Sequence, residues 1–205
     1  MKLDFVSPDI AAIHGLNPLT VTFQDILDQT HPDDMEFVSK AESKAFEVVM
    51  GSIAPEKRKK YKVSYCFRFK TADGTYQLFN HQAIMLTADP EGRQALALNI
   101  HTNISHLTEQ NNYRLSVIGM FGEPSFLNID VWDSSGQLSA SNPLFSERET
   151  EIIKLIAKGH TSTSIANELC ISSNTVKNHR KNIPRKSGCR NTGQLIRKCI
   201  TEGLL

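Results

Sequence analysis

The sequence predicts an α+β chain: an antiparallel sheet with accompanying helices, followed by a separate all-α unit of four helices. Three observations carry this. Runs of alternating strand character crowd residues 61–104, helical periodicity dominates 145–203, and DSSGQLSASNP (133–143) between them has neither. A length of 205 residues suits two modest domains, each with its own core.

The elements follow in order. FVSPDIAAIHG (5–15) opens the chain, and Met1–Ser7 is expected to supply one short strand. Residues 33–53 place Phe37, Ala41, Lys44 or Ala45, and Val48 at helical spacing, with Asp33 and Asp34 suited to the helix start. Three strands are predicted at 61–70, 75–86 and 93–104, the first two joined by TADG and the next pair by TADPEG, an antiparallel meander. YRLSVIGMFG and SFLNIDVWD flank Glu123-Pro124 as one further hairpin. Beyond the linker, Ser146 and Glu149 form a capping box ahead of the stripe Ile152, Ile153, Leu155 and Ile156, and Gly159 suits the stop. A second helix is expected over 162–169, a third capped by Ser172, and a fourth from Thr192 to Glu202.

Charge separates the two parts. Residues 144–205 carry 11 Lys and Arg against 5 Asp and Glu, whereas 1–143 carry 12 against 17, so one end alone is suited to a polyanion. No apolar run approaches the roughly 18 residues that span a bilayer. MKLDFVSPDI lacks a long apolar core and a small-residue cleavage site, so a cytoplasmic protein is expected. Cys66, Cys170, Cys189 and Cys199 are scattered without metal-ligand spacing, and are expected as buried thiols. No metal and no cofactor are expected. His81, His101 and His106 could ligate a haem, but nothing in their spacing demands it.

A short helix, a brief turn and a polar third helix make a helix-turn-helix. At about 100° per residue, Asn174, Lys177, Asn178, Lys181 and Arg185 share one face, while Val176, His179 and Ile183 lie opposite. Lys and Arg pair with phosphate or guanine, and Asn with adenine, so this face suits the major groove. The expected DNA-binding residues are Asn174, Thr175, Lys177, Asn178, Arg180, Lys181 and Arg185, on double-stranded DNA.

FSERETEIIKLIAKG (145–159), SIANELCIS (164–172) and NTVKNHRKNI (174–183) together resemble the LuxR-type (GerE) DNA-binding domain. The resemblance places Lys177, Asn178 and Lys181 at base- or phosphate-contacting positions, with Val176 and Ile183 in the core. Two departures stand out: Ser187 replaces an apolar residue, so looser packing is expected, and Ser164 replaces an acidic one, so a less well capped second helix is expected. FVSPDIAAIHG, HPDD (31–34), FRFKTADGTY (67–76) and NIHTNIS (99–105) resemble PAS sensor domains over 1–108; the NCRFLQ-like stretch of the flavin-binding subclass is absent. The chain divides into a PAS-like sensor or dimerisation domain (1–108), an additional β-hairpin (109–132), a linker (133–143) and the helix-turn-helix domain (144–205).

Pro184 lies inside the third helix, where the lost N–H and ring clash cost roughly 3 kcal/mol. Residues 173–181 precede it, so it is expected to bend the exit rather than abolish binding. The HPDD acids read as a helix start, EKRKKYK (56–62) as a solvated connection, Trp132 as a packing anchor and His179 as a core residue. The function implied is a transcriptional regulator, homodimeric on two half-sites, with a small-molecule ligand in the PAS-like domain and RNA polymerase as a further partner, and no membrane. The alternative is an interaction adaptor disabled for DNA by Pro184 and Ser187. An enzyme finds no support, since G-x-S-x-G, H-E-x-x-H and the phosphate-binding G-x-x-x-x-G-K-[ST] are absent. Nor is there the alternating strand and helix order of a phosphoacceptor receiver.

Overall fold

The computed structural model describes residues 2–89, 94–133, 144–202 and 204. Among them, helices α1 (Ile10–His14), α2 (Phe23–Leu27) and α3 (Met35–Ser52) precede strands β1 (Tyr61–Lys70), β2 (Tyr76–Ala88), β3 (Gln94–Asn103), β4 (Leu115–Gly119) and β5 (Phe126–Ile129). Helices α4 (Glu147–Ala157), α5 (Ser162–Glu168), α6 (Ser173–Ser187) and α7 (Thr192–Thr201) follow. The strands form one antiparallel sheet in the order β3-β2-β1-β4-β5.

Hairpin β1–β2 turns on Gly74, whose φ of 86° favours glycine. Asp73 accepts from the Thr75 N–H and from both threonine hydroxyls, fixing that turn. The resulting register sets Tyr65 opposite His81 and Phe67 opposite Phe79. Because successive side chains alternate between faces, Tyr65, Phe67 and Phe69 share the front of the sheet with Phe79, His81 and His101. α3 covers that front with Phe37, Ala41, Ala45 and Val48, the stripe its sequence predicts.

Of the strand expected at Met1–Ser7, the described residues 2–7 carry no strand pairing. The segment that reaches the sheet instead is 29–31: Thr30 bridges Phe69, the His31 N–H donates to the Arg68 carbonyl and the Lys70 N–H to the Gln29 carbonyl. The additional hairpin does join the sheet, as β4 and β5 beside β1, and β3 is left at the opposite edge. HPDD starts the long helix as expected, through a 3₁₀ turn at Pro32–Asp34, but the Asp34 side chain makes no capping bond. Its buried carboxylate accepts from the Arg68 N–H (2.7 Å), from the Arg68 guanidinium (2.6 Å) and from the Tyr113 hydroxyl (3.1 Å), tying α3 to β1 and to the segment before β4.

EKRKKYK is not simply a solvated connection. Residues Pro55–Lys60 form a 3₁₀ helix in which Arg58 is buried and donates to the carbonyls of Val49, Met50 and Ile53, closing the end of α3. Lys57 and Lys60 pair with Glu123. Trp132 packs as an anchor on one side only: it stacks on Phe37 at 5.6 Å while staying 49% exposed. Cys66 and Cys199 are buried thiols and Cys189 is half-buried, but Cys170 is exposed at the end of α5, where φ is 52°. Most of the predicted linker, 134–143, lies outside the described residues.

Candidate nucleic-acid interface

The helical unit is built around Ile152, Ile153 and Leu155 of α4, Ile165 and Ala166 of α5, Val176 and Ile183 of α6, and Leu195 and Cys199 of α7. The predicted capping box holds. The Glu149 N–H donates to Ser146 Oγ, and Glu149 Oε2 accepts from the Ser146 N–H at 2.9 Å. Glu149 also receives Lys186 at 2.8 Å, locking the start of α4 to the end of α6. Burial pushes the Glu149 pKa up, but Lys186 and the Ser146 hydrogen bonds more than offset it and leave it below the usual carboxylate value. α5 is better capped than expected: Thr161 Oγ1 accepts from the Ser164 N–H, and His160 bonds Ser164 Oγ at 2.9 Å.

Ser172 caps α6 by accepting from the Thr175 N–H at 3.0 Å. The helix does not end at Pro184. It runs on to Ser187 and closes at Gly188, whose φ of 68° permits its N–H to reach the Pro184 carbonyl. Ser187, where packing was expected to loosen, is buried and its hydroxyl donates to the Ile183 and Pro184 carbonyls. A hydroxyl can sit in this apolar setting because both of its neighbours in the turn present carbonyl oxygens.

Of the residues predicted to meet DNA, Asn174, Thr175, Lys177, Asn178, Lys181 and Arg185 are exposed. Five of them, without Thr175, form the polar face of the helical wheel, opposite the buried Val176 and Ile183. Thr175 also bonds Ser172 Oγ at 2.8 Å. Arg180 stands apart. It is half-buried and donates to the His160 carbonyl at 3.3 Å, bracing α6 against the turn before α5. His179 is half-buried rather than fully in the core. Sequence reasoning also missed Arg148, which donates to the Leu169 carbonyl at 2.7 Å and so holds the turn between α5 and α6. Its place on α4, one turn before Ile152 and so beside the apolar stripe, is the signal that could have drawn notice.

A second polar constellation lies in the sheet front. His81 and His101 face each other with Nδ1 and Nε2 2.8 Å apart. His81 Nε2 faces Glu42 Oε1 of α3 at 3.5 Å without a well-formed hydrogen bond, and the Tyr65 hydroxyl donates to the same carboxylate oxygen at 2.5 Å. Burial, then the neighbouring His81 and His14, drives the His101 pKa far down, so its imidazole stays neutral. Burial raises the Glu42 pKa, yet the His81 and Tyr65 contacts hold it below the ordinary value. The carboxylate and the second imidazole sit on opposite nitrogens of His81, so they do not converge on one point. Among the described residues no group of three or more His, Cys, Asp or Glu is arranged to hold a metal ion. His106 is not part of this chain of contacts.

Residues 143–199 match the family model described as "Bacterial regulatory proteins, luxR family". The spore germination protein GerE of Bacillus subtilis (strain 168) is 37% identical over 65 residues, which are 32% of this chain and 88% of GerE. The chain belongs to the LuxR family of bacterial regulatory proteins, which are helix-turn-helix transcriptional regulators. The uncharacterized response regulatory protein YgeK of Escherichia coli (strain K12) is 37% identical over 78 residues, 38% of this chain; the chain spans 52% of YgeK. A solved structure of the Vibrio cholerae VqmA dimer in the absence of target DNA aligns over 82% of this chain and 64% of VqmA, with 17% identity and a TM-score of 0.29. The sequence matches to GerE and YgeK cover about a third of the chain, and the family model lies on the helical unit.

Proposed function

We propose that α6 reads the major groove through Asn174, Lys177, Asn178, Lys181 and Arg185, with Thr175 at its entry, and that the chain acts as a homodimer on two half-sites. The PAS-like part (1–108) with its hairpin (109–132) serves as the sensor or dimerisation module. The linker (133–143) joins it to the reading head (144–205). A small molecule is its signal, and the protein works in the cytoplasm, where RNA polymerase is a further partner. Among the described residues no helix is long and apolar enough to cross a membrane, in keeping with this setting.

One observation carries the reading: a polar, cationic row stands exposed on a helix whose other side is locked into an apolar core. Such a row neutralises phosphates and offers donors to base edges without unpacking the domain. Arg180 serves differently, as a positioning residue that braces the reading helix.

The test is binding of the full chain to a pool of genomic DNA fragments across a salt series. Each phosphate contact adds about 0.9 to the slope of log affinity against log salt, so Lys177→Ala/Lys181→Ala is expected to flatten the slope by about 2 per head. Salt-independent or undetectable binding at low salt would overturn the reading.

A further inference from the structure

Strand β3 is the open edge of the sheet. It pairs with β2 on one side, and among the described residues no strand pairs with the other. It is ten residues long, QALALNIHTN, and holds no Lys, Arg, Asp, Glu or Pro. Burial keeps its one titratable group, His101, neutral. Native sheets blunt such an edge with charge, proline or shortness. The opposite edge follows that rule: β5 has four residues, and Asn128 within it has a φ of 55°, left-handed backbone that no regular ladder continues.

The Ile104 N–H donates to the Leu78 carbonyl, and bonded pairs recur at every second residue of an antiparallel ladder. The main-chain groups of Leu98 and Ile100 therefore turn toward β2, and those of Ala97, Asn99 and His101 point to the open edge. On the back of the sheet β3 presents Leu96, Leu98 and Ile100 at alternate positions, 39%, 41% and 41% exposed. The half-buried Ile84 of β2 lies opposite Leu98 and widens the row. The helical unit leaves this row exposed, since Ile200 of α7 meets the back of the sheet farther along, on Cys66, Leu78 and Ile104.

The row is its own complement. In a second β3 running antiparallel to the first, with Leu98 opposite Leu98, Leu96 meets Ile100 and Ile100 meets Leu96, while Ala97 and Asn99 exchange main-chain bonds. No charge is brought near its like. Moving the axis to Asn99 would instead set Leu96 against Thr102. We propose that β3 is the dimerisation edge: two copies of this chain join β3 to β3, antiparallel, about a two-fold axis at Leu98, making one continuous sheet across both protomers. The proposal rests on the homodimer reading above and assigns its surface. Pairing consumes both open edges and leaves the two β5 edges outermost, so assembly closes at two chains.

The test is sedimentation velocity of the full chain, free and on a DNA fragment recovered from the genomic pool, for the wild type, Leu98→Lys and Leu98→Glu. Like charges facing each other across the axis oppose pairing. Each variant alone is therefore expected to self-associate at least tenfold more weakly, and an equimolar mixture of the two to recover a dimer. A second arm uses Cys170→Ser/Cys189→Ser, which leaves only the buried thiols. Leu98 and its copy form a non-hydrogen-bonded pair about 4.5 Å apart at Cα, within disulfide reach, so Leu98→Cys is expected to cross-link two chains on mild oxidation with diamide. Ile100 and its copy are displaced by about 13 Å along the strands, so Ile100→Cys is expected to stay uncross-linked. A wild-type dimer that Leu98→Lys leaves unchanged overturns the β3 interface, gives the row a different occupant and leaves the homodimer reading intact; equal cross-linking at Ile100 also overturns the interface. Wild-type chains that stay monomeric both free and on the DNA overturn the homodimer reading itself. If circular dichroism shows that a charged variant does not fold, the cross-linking decides, and no cross-link at Leu98 overturns the interface.

Discussion

The sheet front and the reading head solve the same problem, placing polar groups beside an apolar core, in opposite ways. In the head the polar row faces outward from α6, and the buried polar groups, Glu149 and Ser187, are each satisfied within one or two turns of helix or by Lys186. At the sheet the polar groups meet between elements, and the buried His81, the half-buried His101 and the exposed Glu42 depend on partners 20 or more residues away. A polar row that faces solvent can be written locally along one helix, whereas a polar constellation between sheet and helix must be assembled from several elements. That difference also ranks what should happen when each is broken.

The largest effect is expected at Asp34, the point where α3, β1 and Tyr113 meet. Asp34→Ala leaves the Arg68 N–H and guanidinium and the Tyr113 hydroxyl without their acceptor. Removing one partner of a buried pair costs 3–5 kcal/mol, and the partial exposure of Arg68 puts this case at about 3 kcal/mol, measurable by urea unfolding of the sheet. The helical unit, which shares none of these bonds, should keep its own stability.

Next comes acid. The His101 pKa lies below its unfolded value of 6.5, so the unfolded chain binds the extra proton. Stability is therefore fully present above pH 6.5 and is lost as pH falls below it, by about 1.4 kcal/mol per pH unit for that one group. Glu42 and Asp34, both held below the ordinary carboxylate range, add losses of the same sign at lower pH. Thermal melts of the full chain at pH 7.5 and 5.5 should show the sheet transition shifting down. A sheet transition that stays put, or rises in acid, would mean that the imidazole pair is not held neutral.

What could be read in advance follows the same division. Capping residues, the apolar stripes of α3, α4 and α6, and the outward row on α6 all repeat within a few residues, so the sequence displays them directly. A hairpin centred on Asp73 even places Tyr65 opposite His81. The meeting of His81 with His101 across β2 and β3, the reach of Glu42 from α3, and the docking of Ile200 on Cys66 depend on separations that no local pattern encodes. Arg180 lies off the outward row of the helical wheel, and its long guanidinium turns back to the His160 carbonyl, a reach that Cα–Cβ directions alone do not display. The strand expected at Met1–Ser7 failed because residues 29–31 take the pairing at the end of β1.

The smallest effect is expected at Pro184, and it separates a working head from a disabled one. The residue sits in the last turn of α6, after Lys181 and before the closing bonds at Gly188 and Cys189, both of which use the Pro184 carbonyl rather than its nitrogen. Its missing N–H therefore costs one helical bond near an end where the chain is about to turn. Pro184→Ala should restore that bond and stabilise the helical unit by about 1 kcal/mol, less than the roughly 3 kcal/mol of a mid-helix proline. Four of the five residues of the exposed row, Asn174 to Lys181, lie upstream and keep their geometry, and only Arg185 follows the proline, so DNA affinity at fixed salt should change less than twofold. A gain of tenfold or more would show instead that the proline distorts the reading face, and the outward row would then be no more self-contained than the buried one in the sheet.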